Sequence, residues 1–132
     1  MGASKAKKAA AQSPGPRIFV VDDEPLLLEM AARILGRYQI QTFSDPEKAL
    51  AAYSSAQMPP DLVITDFAMH KMDGLDLIRE CRRLHPGQKI VLLSGTVDET
   101  IYHGTGVRPD RFLEKPYKPG ELAEVVQDIL AD

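Results

Sequence analysis

The sequence contains a single cysteine, Cys81, so it can form no internal disulfide and carries no cysteine framework for a metal. No apolar run approaches the roughly 20 residues that a membrane-spanning helix needs. The amino terminus, MGASKAKKAAAQ, lacks the apolar segment of a signal peptide, and Ala6 stands where the myristoylation pattern requires Ser or Thr. Neither GxGxxG nor GxxxxGK[ST] occurs, which argues against a nucleotide-binding fold. We therefore expect a cytoplasmic protein without a membrane partner.

Acidic residues are absent from the first part of the chain. Residues 1–16 carry Lys5, Lys7 and Lys8 and no acid, which leaves 13 basic against 19 acidic residues in the rest, a net charge of −6. An acidic body argues against nucleic acid as the main ligand. We interpret residues 1–16 as a disordered basic tail and residues 17–132 as one compact domain.

Short apolar runs alternate five times with helical patterns. The predicted strands cover 17–21, 40–43, 62–64 (ending at Asp66), 89–93 (ending at Ser94) and 111–114. The predicted helices cover 25–37, a segment from 46 to the break at Met58-Pro59-Pro60, 75–85, 97–104 and a last helix from 119. The helix at 97–104 is expected to be short because glycines and a proline follow it.

This alternation predicts an α/β fold. Apolar strands between amphipathic helices indicate a parallel sheet with helices on both faces. Right-handed crossovers then favour a doubly wound, flavodoxin-like (βα)5 arrangement of five strands in the order 2-1-3-4-5. In such sheets ligands bind at the carboxyl ends of the strands, where strands 1 and 3 are neighbours.

Polar residues follow the strands at that edge. The run IFVVDDEP ends strand 1 with Asp22 and Asp23, and Asp66 ends strand 3. Two carboxylates ~4 Å apart repel by about 4 kcal/mol at an effective dielectric near 20, so the cluster calls for a cation. Oxygen ligands without nearby His or Cys suit Mg²⁺. Ser94 adds a hydroxyl after strand 4, and Lys115 adds a positive charge after strand 5.

These groups together suit phosphoryl chemistry. A carboxylate can attack phosphorus as a nucleophile. A metal ion and a lysine can neutralise the phosphoryl oxygens, and a hydroxyl can donate to one of them. The sequence therefore predicts phosphoryl transfer to one of the three aspartates.

Five short motifs in order resemble the receiver domain of two-component response regulators, of the chemotaxis-regulator type. They are DDE at 22–24, ITD at 64–66, MDG at 72–74, LLSG at 92–95 and EKP at 114–116. The resemblance covers about 17–131. It implies that Asp66 is the phosphoacceptor and that the donor is a histidine kinase or a histidine phosphotransfer protein.

The resemblance also implies a ligand set and a switch. Asp23, Asp66 and the backbone carbonyl of Ala68 would coordinate Mg²⁺, and Asp22 would join through water. Lys115 would pair with the phosphoryl group, and the Lys115–Pro116 bond would be cis. Ser94 would move towards the phosphoryl oxygen, and Phe112 would rotate inward. For Phe112, a plain core position is the alternative.

Other polar residues have simpler interpretations. His70 stands where the family commonly has Pro; we interpret it as an exposed loop residue, with tuning of phosphoaspartate hydrolysis as the alternative. Glu24 suits the first turn of a helix, and Asp73 suits an N-cap. We place Cys81 in the core and His85 and His103 on the surface.

Two other functions compete with the receiver. A phosphatase of the haloacid dehalogenase type also uses an aspartyl nucleophile and Mg²⁺, but it needs an acid two residues later, where this chain has Ala68. A receiver-like module that is never phosphorylated would be expected to lack one of the site residues. We expect no enzymatic activity beyond self-phosphorylation and dephosphorylation. We also expect no effector domain after the last helix, so that the chain is either a free-standing receiver or one excised from a longer protein such as a hybrid kinase. At the short, glycine-interrupted segment VDETIYHGTGVRPD we expect either an atypical output face or a mobile helix.

Overall fold

The computed structural model describes residues 15–95 and 106–131, and the strands among them form one parallel sheet. Its strands are β1 (Arg17–Val21), β2 (Gln39–Phe43), β3 (Leu62–Asp66), β4 (Ile90–Ser94) and β5 (Arg111–Glu114). They lie in the order β2-β1-β3-β4-β5, which confirms the predicted doubly wound α/β fold. β1 and β3 are therefore neighbours at the switch point.

Four helices connect and cover these strands in the described residues. They are α1 (Pro25–Ile34), α2 (Pro46–Ser55), α3 (Gly74–Leu84) and α4 (Pro119–Ala131). The helix predicted at 97–104, His103 and most of the predicted tail lie outside the described residues. No helix in the described part of the chain has the length and apolarity to cross a membrane.

Alternation along the strands divides the core into two layers. Phe19 and Val21 of β1 belong to the layer under α2 and α3, which also buries Cys81 as predicted. Ile18 and Val20 belong to the opposite layer, under α1 and α4. β3 and β4 are buried along their whole length, as expected for central strands covered on both faces.

Two helices begin at aspartates that cap them. The Asp45 side chain accepts a hydrogen bond from the Glu47 N–H at 2.9 Å. Asp73 accepts from the Asp76 N–H at 2.9 Å, and the Asp76 side chain accepts from the Asp73 N–H at 3.2 Å, a reciprocal capping box. The N-cap role predicted for Asp73 is thus confirmed.

α1 begins at Pro25 as predicted, but the position of Glu24 and the end of the helix differ from the prediction. Glu24 lies at the N-cap rather than in the first turn, and its side chain makes no capping hydrogen bond. The helix ends at Ile34 instead of residue 37, because the chain turns at Leu35, whose N–H donates to the Ala31 carbonyl. The Leu35 side chain is nevertheless fully buried, which is why the apolar pattern continues past the helix.

Candidate functional site

Asp22 is fixed at the carboxyl end of β1. Its N–H donates to the Phe43 carbonyl at 3.1 Å, which continues the pairing of β1 with β2 for one more residue. Its Oδ1 accepts from the Glu24 N–H at 3.0 Å. Asp22 is only 2 % exposed, so its carboxyl group is almost completely shielded from water at the edge of the sheet.

Asp66 lies opposite, at the end of β3. Val21 pairs with Thr65 in the parallel register, so Asp22 and Asp66 each come directly after a paired residue. Carboxylate oxygens of Asp22, Asp23 and Asp66 lie within 4.8 Å of one another. Three hard oxygen donors at this spacing fit a magnesium ion. The predicted convergence of the three acids is therefore what the fold produces.

Lys115 connects two of these acids. Its Nζ lies 3.2 Å from Asp22 Oδ2 and 3.1 Å from Asp66 Oδ1. The Lys115 N–H donates to the Ser94 carbonyl at 2.7 Å, which holds the residue beside the end of β4. The Lys115–Pro116 peptide bond is cis, as the family resemblance implied.

Burial and charge shift the pKa values of these groups. Burial raises the pKa of Asp66, the Asp22 carboxylate raises it further, and Lys115 lowers it in part. Burial also raises the pKa of Asp22, against the lowering by the Glu24 N–H and Lys115. For Lys115, burial lowers the pKa, but the two carboxylates outweigh it and the pKa is raised. The lysine therefore stays charged, between two carboxyl groups whose pKa values lie above their ordinary value.

Gly74 supports Asp66 from behind. A methyl group added at Gly74 would come within 2.5 Å of the Asp66 carbonyl oxygen and 2.8 Å of Leu92 Cδ1. The Gly74 N–H also donates to the Phe67 carbonyl at 2.8 Å. The first residue of α3 is thus packed directly on the backbone of the central acid, and only glycine fits there.

Comparison with known proteins identifies the family. The sequence model of the response regulator receiver domain matches residues 18–127. The chain belongs to this family. The acids at the ends of β1 and β3 and the lysine after β5 therefore sit in a receiver domain, as their motifs indicated.

Curated relatives are longer regulators. The receiver domain is 34% identical over 110 residues to the probable transcriptional regulatory protein TcrX of Mycobacterium tuberculosis, covering 80% of this chain and 45% of that protein. It is 35% identical over 114 residues to the DNA-binding response regulator MtrA of Mycolicibacterium smegmatis, covering 84% and 49%. The chain thus spans about half the length of these two relatives.

Solved structures share the fold. The response regulator TrrA of Thermotoga maritima, in complex with Mg²⁺ and BeF, is 32% identical with a TM-score of 0.74, covering 86% of this chain and 98% of that one. The BeF3-activated receiver domain of DrrB, from the same organism, is 22% identical with a TM-score of 0.79, covering 89% and 99%. The second likeness concerns the fold alone.

The other predicted site residues lie at the end of β4, in the loop after β3 and on β5. Ser94 ends β4, is 2 % exposed and pairs in register with Glu114. Ala68 is exposed in the loop after β3, two residues beyond Asp66. Phe112 lies half-buried on β5 against the core layer under α2 and α3. The switch roles of Ser94 and Phe112 and the ligand role of the Ala68 carbonyl stay predictions.

Sequence reasoning missed two contacts of the loop between β3 and α3. The His70 N–H donates to Asp23 Oδ2 at 3.2 Å, and His70 Nε2 lies 3.5 Å from the same oxygen. Lys71, which has a left-handed φ of 73°, places its Nζ 3.0 Å from Asp45 Oδ2 and 3.5 Å from Glu47 Oε1. Neither contact could be predicted from the local sequence, because each joins residues that are far apart in the chain.

Proposed function

We propose that this receiver domain accepts a phosphoryl group on Asp66 from a phosphohistidine, carried by a histidine kinase or a histidine phosphotransfer protein. The observation that supports this most directly is the position of Lys115 Nζ, 3.2 Å from Asp22 and 3.1 Å from Asp66, beside a third carboxylate. Membership of the receiver family supports the kind of donor.

In the transfer, an oxygen of Asp66 attacks phosphorus and forms an O–P bond. The bond between phosphorus and the donor's imidazole nitrogen breaks, and its electron pair stays on that nitrogen, which takes up a proton. Lys115 pairs with the transferring group, and the Ser94 hydroxyl donates to one of its oxygens. Water later attacks phosphorus, releases phosphate and restores the Asp66 carboxylate.

Asp23, Asp66 and the Ala68 carbonyl would hold Mg²⁺ directly, with Asp22 joined through water. When bound, the ion neutralises charge on the transferring phosphoryl group. The protein acts on its own side chain and not on a turnover substrate, so we do not propose that it is an enzyme.

Phosphorylation would change which arrangement of the site is favoured. The acyl phosphate adds charge and acceptor oxygens beside Lys115 and Ser94. Contacts that these residues make in one state only would shift a pre-existing equilibrium, and Phe112 would turn inward with it. Moving the population from 1:99 to 99:1 requires about 5.5 kcal/mol of discrimination. A partner protein would read the favoured state.

The decisive experiment is incubation with a small-molecule phosphodonor and Mg²⁺, followed by intact-mass measurement. The unaltered protein should gain one phosphoryl group, and Asp66→Asn should gain none. Asp128→Asn, an exposed acid remote from the site in the sequence, is the matched control and should be modified normally. No mass gain in the unaltered protein would indicate a receiver-like module that is not phosphorylated. Turnover of unrelated phosphomonoesters would indicate a phosphatase.

The donor protein would cover an apolar groove next to the site. Leu27, Met30, Pro116 and Tyr117 line a groove of about 270 Å³ that reaches Lys115, and Leu26, which precedes Leu27 in the sequence, is 67% exposed. A protein that delivers phosphorus to Asp66 must approach Lys115, so its apolar surface would rest here.

This docking has its own test. Met30→Glu should slow phosphoryl transfer from a phosphorylated histidine kinase and leave labelling by the small-molecule donor unchanged. Met58→Glu, at an exposed methionine outside the groove, is the control and should transfer normally. Equal transfer rates for Met30→Glu and the unaltered protein would contradict the docking surface.

A further inference from the structure

Asp23 is held differently from the other two acids. Lys115 pairs with Asp22 and Asp66. Asp23 Oδ2 instead accepts from the His70 N–H at 3.2 Å and lies 3.5 Å from the His70 imidazole. Asp23 and His70 are 47 positions apart, so this contact ties the loop after β3 to the loop after β1. The three acids are thus contacted from two sides, by Lys115 and by His70.

Without a donor, Asp23 would not stay beside its neighbours. Its side chain is 19% exposed and can rotate towards water, and two further carboxylates repel it from the cluster. A carboxylate has lone pairs on both oxygens, so Oδ2 can accept from His70 while the group still offers a lone pair to a cation. His70 therefore fixes Asp23 before any ion arrives.

We infer that His70 is a positioning residue of the magnesium site: its N–H orients Asp23 as a ligand, and its imidazole, 3.5 Å from Oδ2, lies against the same carboxylate. It does not ligate the ion itself. Its ring nitrogens do not belong to the group of possible ligand atoms that lie within 4.8 Å of one another, which Asp22, Asp23 and Asp66 supply. Groups that hydrogen-bond a metal ligand typically change metal affinity by about 10–100-fold when removed. This inference rests on the proposed function, because it assumes that the ion binds at this site.

Three substitutions separate the two contacts. His70→Ala removes the imidazole and keeps the backbone N–H, whereas His70→Pro removes both, since proline has no N–H. His70→Gln returns a side-chain donor. Lys71→Gln is the matched control: it changes the next residue of the loop and removes the pairs with Asp45 and Glu47, but leaves both contacts of His70 in place.

The measurement is a Mg²⁺ titration of the unphosphorylated protein at fixed pH, followed by the backbone amide spectrum in NMR. We expect the Kd to rise about tenfold in His70→Pro, which loses the hydrogen bond, and to rise less in His70→Ala, which loses only the imidazole contact. His70→Gln should recover part of the affinity lost in His70→Ala, and Lys71→Gln should bind as the unaltered protein does. The imidazole nitrogen resonances of His70 should shift only slightly with Mg²⁺, as they would for a group outside the ligand set.

The outcomes distinguish this inference from the proposed function. Unchanged Kd values in His70→Ala and in folded His70→Pro would overturn it, and so would tighter binding in either variant. If His70→Pro does not fold, His70→Ala alone decides. A large imidazole shift typical of direct coordination would also overturn it. Absence of saturable Mg²⁺ binding in the unaltered protein would overturn the proposed metal site together with it.

Discussion

The two ends of the sheet bury polar groups in opposite ways. At the carboxyl end, Asp22 and Asp66 are buried as acids with raised pKa values around one lysine. At the amino end, Gln88 is 6% exposed and neutral. Its Oε1 accepts from the Tyr53 hydroxyl at 2.7 Å, and its Nε2 donates to the Pro60 carbonyl at 3.0 Å. The acids at the carboxyl end repel one another, whereas the polar atoms of Gln88 are satisfied by neutral hydrogen bonds.

The difference shows that the volume of a cavity does not by itself identify the functional end of the sheet. A cleft of about 550 Å³ lies at the amino end, lined by Pro16, Pro59, Pro60, His85 and Gln88 among others. Among the residues that the structure describes, its lining includes no cluster of acids. The groove at Lys115 is smaller, about 270 Å³, but the carboxyl end gathers the charged groups. In this receiver domain, unfavourable electrostatics marks the functional end better than volume does.

The largest expected effect comes from filling space behind the site. Gly74→Ala would push a methyl group into the Asp66 carbonyl and Leu92. The Asp66 carbonyl belongs to the backbone and cannot move aside without disturbing β3. We expect a loss of about 3 kcal/mol in the free energy of unfolding. Gly87→Ala, at the amino end, is the matched control, because nothing lies within 4 Å of the added methyl. Urea denaturation measures both; equal stabilities would break the contrast between the two ends.

Removing the neutral network at the amino end should cost somewhat less. Gln88→Ala leaves the Tyr53 hydroxyl and the Pro60 carbonyl without this partner. We expect a loss of about 2 kcal/mol, within the range for buried groups left unsatisfied. Mg²⁺ affinity, measured in the same variant, should stay unchanged. A weakened affinity would show that the two ends are coupled.

Replacing an acid at the carboxyl end should raise the free energy of unfolding, whereas the two substitutions above lower it. Because the pKa of Asp66 is raised by folding, its favourable contribution is present below the ordinary value of 3.8 and is lost as pH rises through the folded-state pKa. Asp66→Asn should therefore be more stable than the unaltered protein at pH 7 by about 1 kcal/mol. Denaturation in chelator at several pH values checks this.

The pH series has a built-in control. The gain from Asp66→Asn should shrink as pH falls, since both proteins then carry a neutral group at residue 66. Asp128→Asn, which removes an exposed acid, should show no comparable gain. A destabilised Asp66→Asn at pH 7 would mean that the pair with Lys115 outweighs the repulsion.

The smallest effect is expected where an ion pair is exposed. Arg79 and Asp76 lie 3.1 Å apart on α3, with side chains 50% and 48% exposed. Arg79→Ala should change stability by less than about 0.5 kcal/mol, because water screens such a pair. Thermal melts at low and high salt measure it. A larger loss would show that exposed pairs matter here as buried ones do.

The strand order could be predicted from the sequence because strands 1, 3 and 4 carry continuous apolar runs. The predicted bounds of β1 and β5 agree with the structure. β2 begins one residue early, at Gln39, because the Gln39 N–H donates to the Pro16 carbonyl and the residue pairs with Arg17. That pairing depends on a partner strand, which periodicity does not contain.

Only those site residues that lie at the ends of strands could be predicted from the sequence. Asp22, Asp66 and Lys115 could be brought together from the strand order alone. The contact of His70 with Asp23 depends on the path of a loop, and its side chain is 90% exposed, as the sequence suggested for a plain loop residue. Gly74 could be recognised as part of a turn, but its packing against Asp66 could not.

The span of 93 positions between Asp22 and Lys115 has a consequence for refolding. Parallel pairing of distant segments has high contact order and forms slowly compared with local helices. The magnesium ligands come together only after β1 and β3 have paired, and Lys115 joins them only after β5 has entered the same sheet. In a stopped-flow refolding experiment, recovery of Mg²⁺ affinity should therefore report the pairing of β1 with β3, later than helical circular dichroism.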